Sequence, residues 1–551
     1  MIQFEHYYCH QESNDMSAQT CGEATIKLLE AYGVDTVFGI PGVHTLEFCR
    51  GLATSTISHV QARNEQGAGF MADGYARVSG RPGVALVISG PGVTNAATPI
   101  GQSYADSIPV LLLSAEPESD SLGKGWGVLH ECREQKRTTE AVTAFSETAH
   151  KPSDVPDLLA RAFSLFASSR PRPVHISIPI DVLEEVVEDD WVAVIPPTKP
   201  APAADAVKAA ADLLSQAERP LLLVGGGAVE ASEGITALAE KLAAPVVSSA
   251  AGKGILPDSH SLSLTGGTTR VEVQRYIAQA DVVLAIGTEL SETDYFMAPL
   301  EINGSLLRVD IDPHKINDLY PAAVGIVADA KPASLAIANS VNVGDISARR
   351  QRVDQDVADM KAAILNNLTS SEAQHIRLLS EIRDTVDDST VFAGDVCQIV
   401  YTGNFYMPVN QPKLWHYPAG YCTLGCGLPD AIGAKLALPE QPMMVFAGDG
   451  GFMFTVQELV CAAELKLSLP IVLWENGGLK QIQDDMKLRD IPLVGVEGIN
   501  PDFELLAQAC HCLSAAPNSM QEFRAELMRA FEAEVPTLIL VKENSDWLLA
   551  D

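Results

Sequence analysis

The chain has 551 residues, 47% of them apolar, and a formal net charge of −33. That length suits about three domains at roughly 150 residues each, with apolar content for several cores. The acidity excludes a nucleic-acid binder, which needs a basic footprint, and no apolar run is long and clean enough to cross a membrane. Ten scattered cysteines without CxxC pairs, Cys510 and Cys512 being too isolated for a metal site, point to reduced thiols in a cytoplasmic protein.

Residues 1–16 lack the basic start, apolar stretch and cleavage site of a signal peptide and read as an N-terminal extension. From 17 to 190, helical and apolar segments alternate, with a helix over 25–32 and strands over 36–38, 83–88, 110–113 and 174–178. Glycines at strand ends, as in Gly39 and Gly90-Pro91-Gly92, predict a parallel sheet covered on both faces. The run Arg63-Asn64-Glu65-Gln66-Gly67-Ala68-Gly69 puts Glu65 at a helix start, with small residues behind it for close helix packing. A glutamate there is either a solvated charge favoured by the helix dipole or a working carboxylate. His44 and His130, each in a loop after a strand, are the best proton handlers of this domain, although either also reads as structural.

A proline-rich linker over 195–202 precedes a second α/β region, residues 203–343, with strands over 220–224, 282–286 and 307–311. Its Gly225-Gly226-Gly227 follows a strand but lacks the dinucleotide fingerprint. A charged helical connector over 346–370 leads to the last domain, residues 371–551. There a strand over 391–395 is followed by Gln398, and a glycine-rich run spans Gly420-Tyr421-Cys422-Thr423-Leu424-Gly425. An apolar strand then ends in Gly448-Asp449-Gly450-Gly451, a helix is predicted over 455–466, and the next strand ends in Glu475-Asn476-Gly477-Gly478. This β-α-β unit sets Asp449 and Asn476 on one edge of a sheet, where open α/β folds bind ligands. A carboxylate, an amide oxygen and backbone carbonyls make a hard oxygen shell suited to Mg²⁺. Gly450 and Gly451 let a diphosphate approach the backbone. The plainer alternative is a tight turn after a buried strand.

Asp449 to Asn476 resembles the metal and diphosphate motif of thiamine-diphosphate (ThDP) enzymes, and the Glu65 run resembles their glutamate motif. Gly39-Ile40-Pro41-Gly42, residues 90–95 and residues 101–109 fit the acetolactate-synthase-like branch, and the likeness covers nearly the whole chain from about residue 17. It implies an α/β architecture of three doubly wound parallel-sheet domains, of the pyruvate decarboxylase and acetolactate synthase type. It also implies that Asp449, Asn476 and the Gly478 carbonyl hold the metal, and that Gln398, Gly448, Gly450 and Gly451 line the cofactor. By the same resemblance Glu65 bonds N1′ of the pyrimidine, the Cys422 carbonyl takes the 4′-amino group, and Leu424 is the apolar wedge beneath the ring. Relatives often have two consecutive asparagines where this chain has Glu475-Asn476, so only Asn476 is carried over. In relatives the central domain sometimes holds FAD without redox use and sometimes nothing; the missing fingerprint weighs against FAD here.

Residues 39–47, 65–80, 121–131, 401–405 and 481–486 are most similar to the 5-guanidino-2-oxopentanoate decarboxylases within that branch. The reaction so implied releases CO₂ and 4-guanidinobutanal, in arginine catabolism. Glu131, Asp484 and Asp485 are the candidate partners for the guanidinium, the last two also reading as a solvated helix face. Lys480, where relatives tend to have a small residue, bears on access to that end. The alternatives are acetolactate synthesis or another ThDP carboligation and, more remotely, a non-catalytic ThDP-binding regulatory subunit. The resemblance also implies a homodimer or homotetramer, with each site shared between subunits.

Overall fold

The computed structural model describes residues 19–296 and 299–549; the expected N-terminal extension lies outside them. The first unit opens with β1 (Gln19–Thr20) and contains β2 (Thr36–Gly39), β3 (Ser58–Gln61), β4 (Gly83–Val87), β5 (Val110–Glu116), β6 (Phe145–Thr148) and β7 (Val174–Pro179). It closes with β8 (Val186–Val187), which pairs antiparallel with β1. The central unit contains β9 (Pro220–Val224), β10 (Val246–Ser248), β11 (Val282–Ile286), β12 (Ser305–Asp310) and β13 (Val324–Val327). The last contains β14 (Val391–Gly394), β15 (Trp415–His416), β16 (Met443–Gly448), β17 (Pro470–Glu475), β18 (Leu513–Ala515) and β19 (Thr537–Lys542).

Every ladder in the three large sheets is parallel. Their strands are continuous apolar runs because helices cover both faces; β4, β5, β9, β11 and β16 are buried at every residue. The first sheet has the order β3-β2-β4-β5-β7-β6 and the last β15-β14-β16-β17-β19-β18. Counted within each unit these are the same order, so the two sheets repeat one topology. In both, the order reverses between the first and third strands, which opens a crevice at their carboxyl ends. The central sheet, β10-β9-β11-β12-β13, is smaller.

The strands read from sequence are present, as are helices at Cys21–Ala31 and Ser347–Asn366. The helix after Asp449 is shorter than expected, Glu458–Glu464, because Thr455 turns aside to donate its hydroxyl to the Gly425 carbonyl (2.6 Å).

The first and last units are joined by two crossing helices, Glu65–Ser79 and Gly427–Ala437. Gly433 lies against the Met71 carbonyl and Gly74 against that of Asp430, so the helices run antiparallel with their backbones in contact. Beside the crossing the buried Arg77 pairs with Asp73, with Asp106 (2.7 Å) and, at 3.9 Å, with Asp430. The central unit is pinned by the buried Lys253, which donates to Thr265 Oγ1 (2.7 Å) and lies 3.4 Å from Asp258. Asp258 in turn accepts the Val409 N–H at 3.0 Å.

No helix among the described residues is long and apolar enough to cross a membrane. A methyl group on Gly433 has no room, since its Cβ would overlap the Met71 carbonyl, whereas one on Gly344 meets nothing within 4 Å. Gly433→Ala is expected to destabilise by about 1–3 kcal/mol or more, lowering the apparent thermal midpoint, and Gly344→Ala to leave that midpoint in place.

Candidate active site

The crevice of the last sheet is built on β16 and β17, paired in register from Val445↔Ile471 to Gly448↔Trp474. Asp449 leaves the end of β16 with its carboxylate buried. Oδ1 accepts the Gly450 N–H (2.9 Å). Oδ2 accepts the Gly477 N–H (2.8 Å), the Gly478 N–H (3.2 Å) and Asn500 Nδ2 (2.8 Å). Asn476 donates its amide to Gln398 Oε1 at 3.3 Å, which leaves its carbonyl oxygen without a hydrogen bond among the described residues. Gly478 must be glycine: its φ is +112°, and a Cβ would stand 2.6 Å from the Val496 carbonyl.

Gly450 and Gly451 face the same place. A Cβ on Gly450 would stand 3.4 Å from the Gly478 carbonyl oxygen, and one on Gly451 would stand 3.3 Å from Leu424 Cδ2. Leu424 is half-buried rather than a core residue. Its loop is fixed by Asp395, a buried carboxylate at the end of β14 that accepts the Gly425 N–H at 2.9 and 3.0 Å. Burial pushes the Asp395 carboxyl up to about 6 despite these bonds. Cys422, two residues before the leucine, has φ +53°. A non-glycine residue there costs about 1–3 kcal/mol, a strain that collects at ligand sites.

The second half-site lies at the crevice of the first sheet. Glu65 begins its helix behind the N-cap Asn64, whose side chain accepts the Gln66 N–H at 2.8 Å. Glu65 is 7% exposed, and its Oε2 accepts Asn95 Nδ2 at 2.9 Å. Beyond the end of β2 stands His44, whose ring centre is 5.1 Å from that of His130. Burial, and then repulsion from His130, hold the His44 imidazole below its ordinary range. The Nδ1 atoms of both rings are buried without a partner among the described residues. His130 is another non-glycine residue at positive φ, +60°, with its carbonyl against Gly90.

The three acids expected at the substrate end differ in availability. Asp484 is paired with Lys480 one helical turn before it and lies 3.5 Å from Gln398 Nε2. Asp485 accepts Gln481 Nε2 at 3.4 Å, and Glu131 accepts the Gly127 N–H at 2.6 Å. Lys480 therefore neutralises Asp484 in place.

Sequence reasoning missed Asn500 and Glu458. Asn500 lies in a loop before Pro501, a turn signal that says nothing of its contact with Asp449. Glu458, fully buried in the last unit, accepts the backbone N–H groups of Arg63 and Asn64 at 3.1 Å and so holds the start of the Glu65 helix. Gln102 accepts the Thr423 N–H (3.3 Å) and hydroxyl (3.0 Å), tying the Leu424 loop to the helix that carries Asn95. Asn95 and Gln102 are seven residues apart on it, which is about 10 Å. One chain thus carries a carboxylate half-site and a metal-type half-site on a shared frame.

Comparison with known proteins decides the family. Residues 19–138 match the N-terminal TPP binding domain of thiamine pyrophosphate enzymes, residues 207–337 their central domain and residues 395–541 their C-terminal TPP binding domain. The chain belongs to the thiamine pyrophosphate enzymes. It is 48% identical to a probable 2-ketoarginine decarboxylase of Pseudomonas aeruginosa, over 94% of this chain and 93% of that one. It is 32% identical to the large subunit of acetolactate synthase isozyme 1 of Escherichia coli, over 85% and 84% of the two chains. A probable acetolactate synthase large subunit of Methanocaldococcus jannaschii is 30% identical over 94% and 90%. For a thiamine pyrophosphate enzyme the donor set fits the metal and diphosphate: one buried carboxylate, one unbonded amide oxygen and glycines lining the gap.

Burial raises the Glu458 carboxyl to about 7, partly offset by the Arg63 and Asn64 N–H groups. The folded form therefore keeps a proton that the unfolded chain releases. That contribution to stability is fully present below about pH 4.5 and is lost as pH rises to about 7. Glu458→Gln is expected to flatten the stability profile across that window, as measured by denaturation midpoints at pH 5, 6 and 7.5.

Proposed function

We propose that the protein is a ThDP- and Mg²⁺-dependent decarboxylase acting on 5-guanidino-2-oxopentanoate, which is 2-ketoarginine, to release CO₂ and 4-guanidinobutanal. The observation that carries this reading is the His44–His130 pair, held in two loops of the unit that also carries Glu65. An aldehyde forms only if a proton is delivered where a synthase brings a second oxo acid, and a pair of adjacent imidazoles suits proton transfer. The 48% identity to a probable 2-ketoarginine decarboxylase, against 32% to an acetolactate synthase, supports the same choice.

In this reading Asp449, Asn476 and the Gly478 carbonyl hold Mg²⁺, with Gln398 orienting Asn476 and Asn500 orienting Asp449. Gly448, Gly450 and Gly451 leave the space for the diphosphate. Leu424 would pack against the cofactor's rings, and the Cys422 carbonyl would accept its 4′-amino group. Glu65, held by Asn95, shares a proton with the pyrimidine N1′. When bound, the cofactor supplies the carbon nucleophile and the electron sink. His44 and His130 hold and transfer the product proton.

Assembly follows from what each half-site exposes. Val43 (58%), Leu46 (58%) and Leu129 (59%) flank the glutamate half, and Tyr421 (53%), Met453 (42%) and Phe454 (52%) flank the metal half. Apolar rims of this kind call for cover, and a second copy of the chain supplies it, each site taking Glu65 from one subunit and Asp449 from the other. A tetramer of two such dimers is the larger form of this proposal. The central domain is proposed to act without FAD.

Four outcomes are expected. Removal of metal and cofactor with EDTA abolishes CO₂ release, which returns only when ThDP and a divalent cation are both restored; Glu65→Gln lowers kcat by at least about a hundredfold. In a CO₂ and product assay over guanidino, straight-chain, branched and aromatic 2-oxo acids and pyruvate, the guanidino acid has the highest kcat/KM; acetolactate from pyruvate at a higher value refutes the decarboxylase reading. Sedimentation shows activity in dimers or larger species, and an active monomer refutes the shared site.

A further inference from the structure

The segment between β5 and the Gln135–Glu140 helix carries an aromatic ring that no step above uses. Its backbone turns at Gly123, Gly125 and Gly127, with φ of +74°, +65° and +73°, and a Cβ on any of them would meet nothing within 4 Å. The loop therefore stands clear of the domain beneath it. Between two of these glycines Trp126 is 61% exposed, although an indole of its size is normally buried for its apolar area. Its ring face is taken by a cation: Lys124 Nζ lies 4.5 Å from the ring centre. Next to it the chain closes on itself, Glu131 Oε2 accepting the Gly127 N–H (2.6 Å) and the Glu131 N–H bonding the Val128 carbonyl (3.1 Å). That turn also contains His130, so the indole, the Glu131 carboxylate and one imidazole of the pair share one short stretch of backbone.

We propose that Trp126 and Glu131 recognise the cationic end of the substrate, Trp126 by stacking on the planar guanidinium and Glu131 by accepting its N–H groups, and that Lys124 holds the ring face until the substrate displaces it. The assignment rests on the guanidino reading above. A guanidinium is planar and weakly hydrated, so it stacks on an aromatic face better than an ammonium does. One Glu131 oxygen is already bonded to Gly127, which leaves the other for the ligand, and the ring supplies the rest of the recognition. Five bonds separate the keto carbon from the guanidinium carbon, about 6 Å when extended. In this assignment His130 stands at the reacting end, and Trp126 and Glu131, four residues before it and one after it, take the far end. Asp484, neutralised by Lys480, is not needed for this role.

The test compares kcat/KM for the guanidino acid with that for uncharged 2-oxohexanoate, and reads their ratio. Trp126→Ala is expected to lower the ratio roughly tenfold, chiefly through KM, and Trp126→Phe to restore part of it. Glu131→Gln lowers it as well. Lys124→Ala is expected to raise it several-fold, because the competing ammonium is gone; a loop residue with only a structural role would move both substrates together. A ratio unmoved by Trp126→Ala and not raised by Lys124→Ala overturns the assignment while leaving the substrate reading intact. If the unaltered protein releases no CO₂ from the guanidino acid, the substrate reading fails, and this assignment fails with it.

Discussion

The structure depends on the contact between two helices whose backbones touch. Gly74 and Gly433 allow the Glu65–Ser79 and Gly427–Ala437 helices to approach until a Cβ and a carbonyl would overlap. Interiors are packed like crystals, so such a contact cannot drift by an ångström without displacing everything attached to it. The attachments here are the Glu65 carboxylate at the start of one helix and the Leu424 loop leading into the other. Arg77 locks the same crossing electrostatically, since its buried guanidinium faces Asp73, Asp106 and Asp430. Removing one partner of such a buried group leaves an uncompensated charge, which is why the cluster enforces one arrangement of the two domains.

The half-sites share a second device, the buried carboxylate that collects backbone N–H groups. Asp449 collects those of Gly450, Gly477 and Gly478, Asp395 that of Gly425, and Glu458 those of Arg63 and Asn64. Each bond substitutes for water around a charge that burial would otherwise make costly. The result is a set of loops whose conformation is fixed before any ligand arrives, which is what a site needs if binding is not to be weakened by ordering loops. Cys422 and His130 are both non-glycine residues held at positive φ.

Much of this protein could be read from its sequence. The long apolar strands, the helix beginning at Glu65 and the pairing of Asp449 with Asn476 across adjacent strands are local patterns, because burial on both faces of a parallel sheet imposes a continuous apolar run. The strands that escaped that reading are mostly short or lie at sheet edges, as with Ser58–Gln61, Trp415–His416 and Leu513–Ala515. Thr537–Lys542 is the exception, a mainly buried strand between β17 and β18.

By itself the sequence determined the family, the three parallel sheets and the residues at the strand ends, since each is written in a stretch of a few dozen residues. Only the tertiary structure decided which side chains meet. Glu458 reaches Asn64 across 394 positions, Asn500 reaches Asp449 across 51, and His44 faces His130. It also decided that Lys480 takes Asp484, and it left Trp126 61% exposed in the loop that carries His130. Contacts of this kind depend on how helices cross and where loops turn back, and no periodicity in the chain records them.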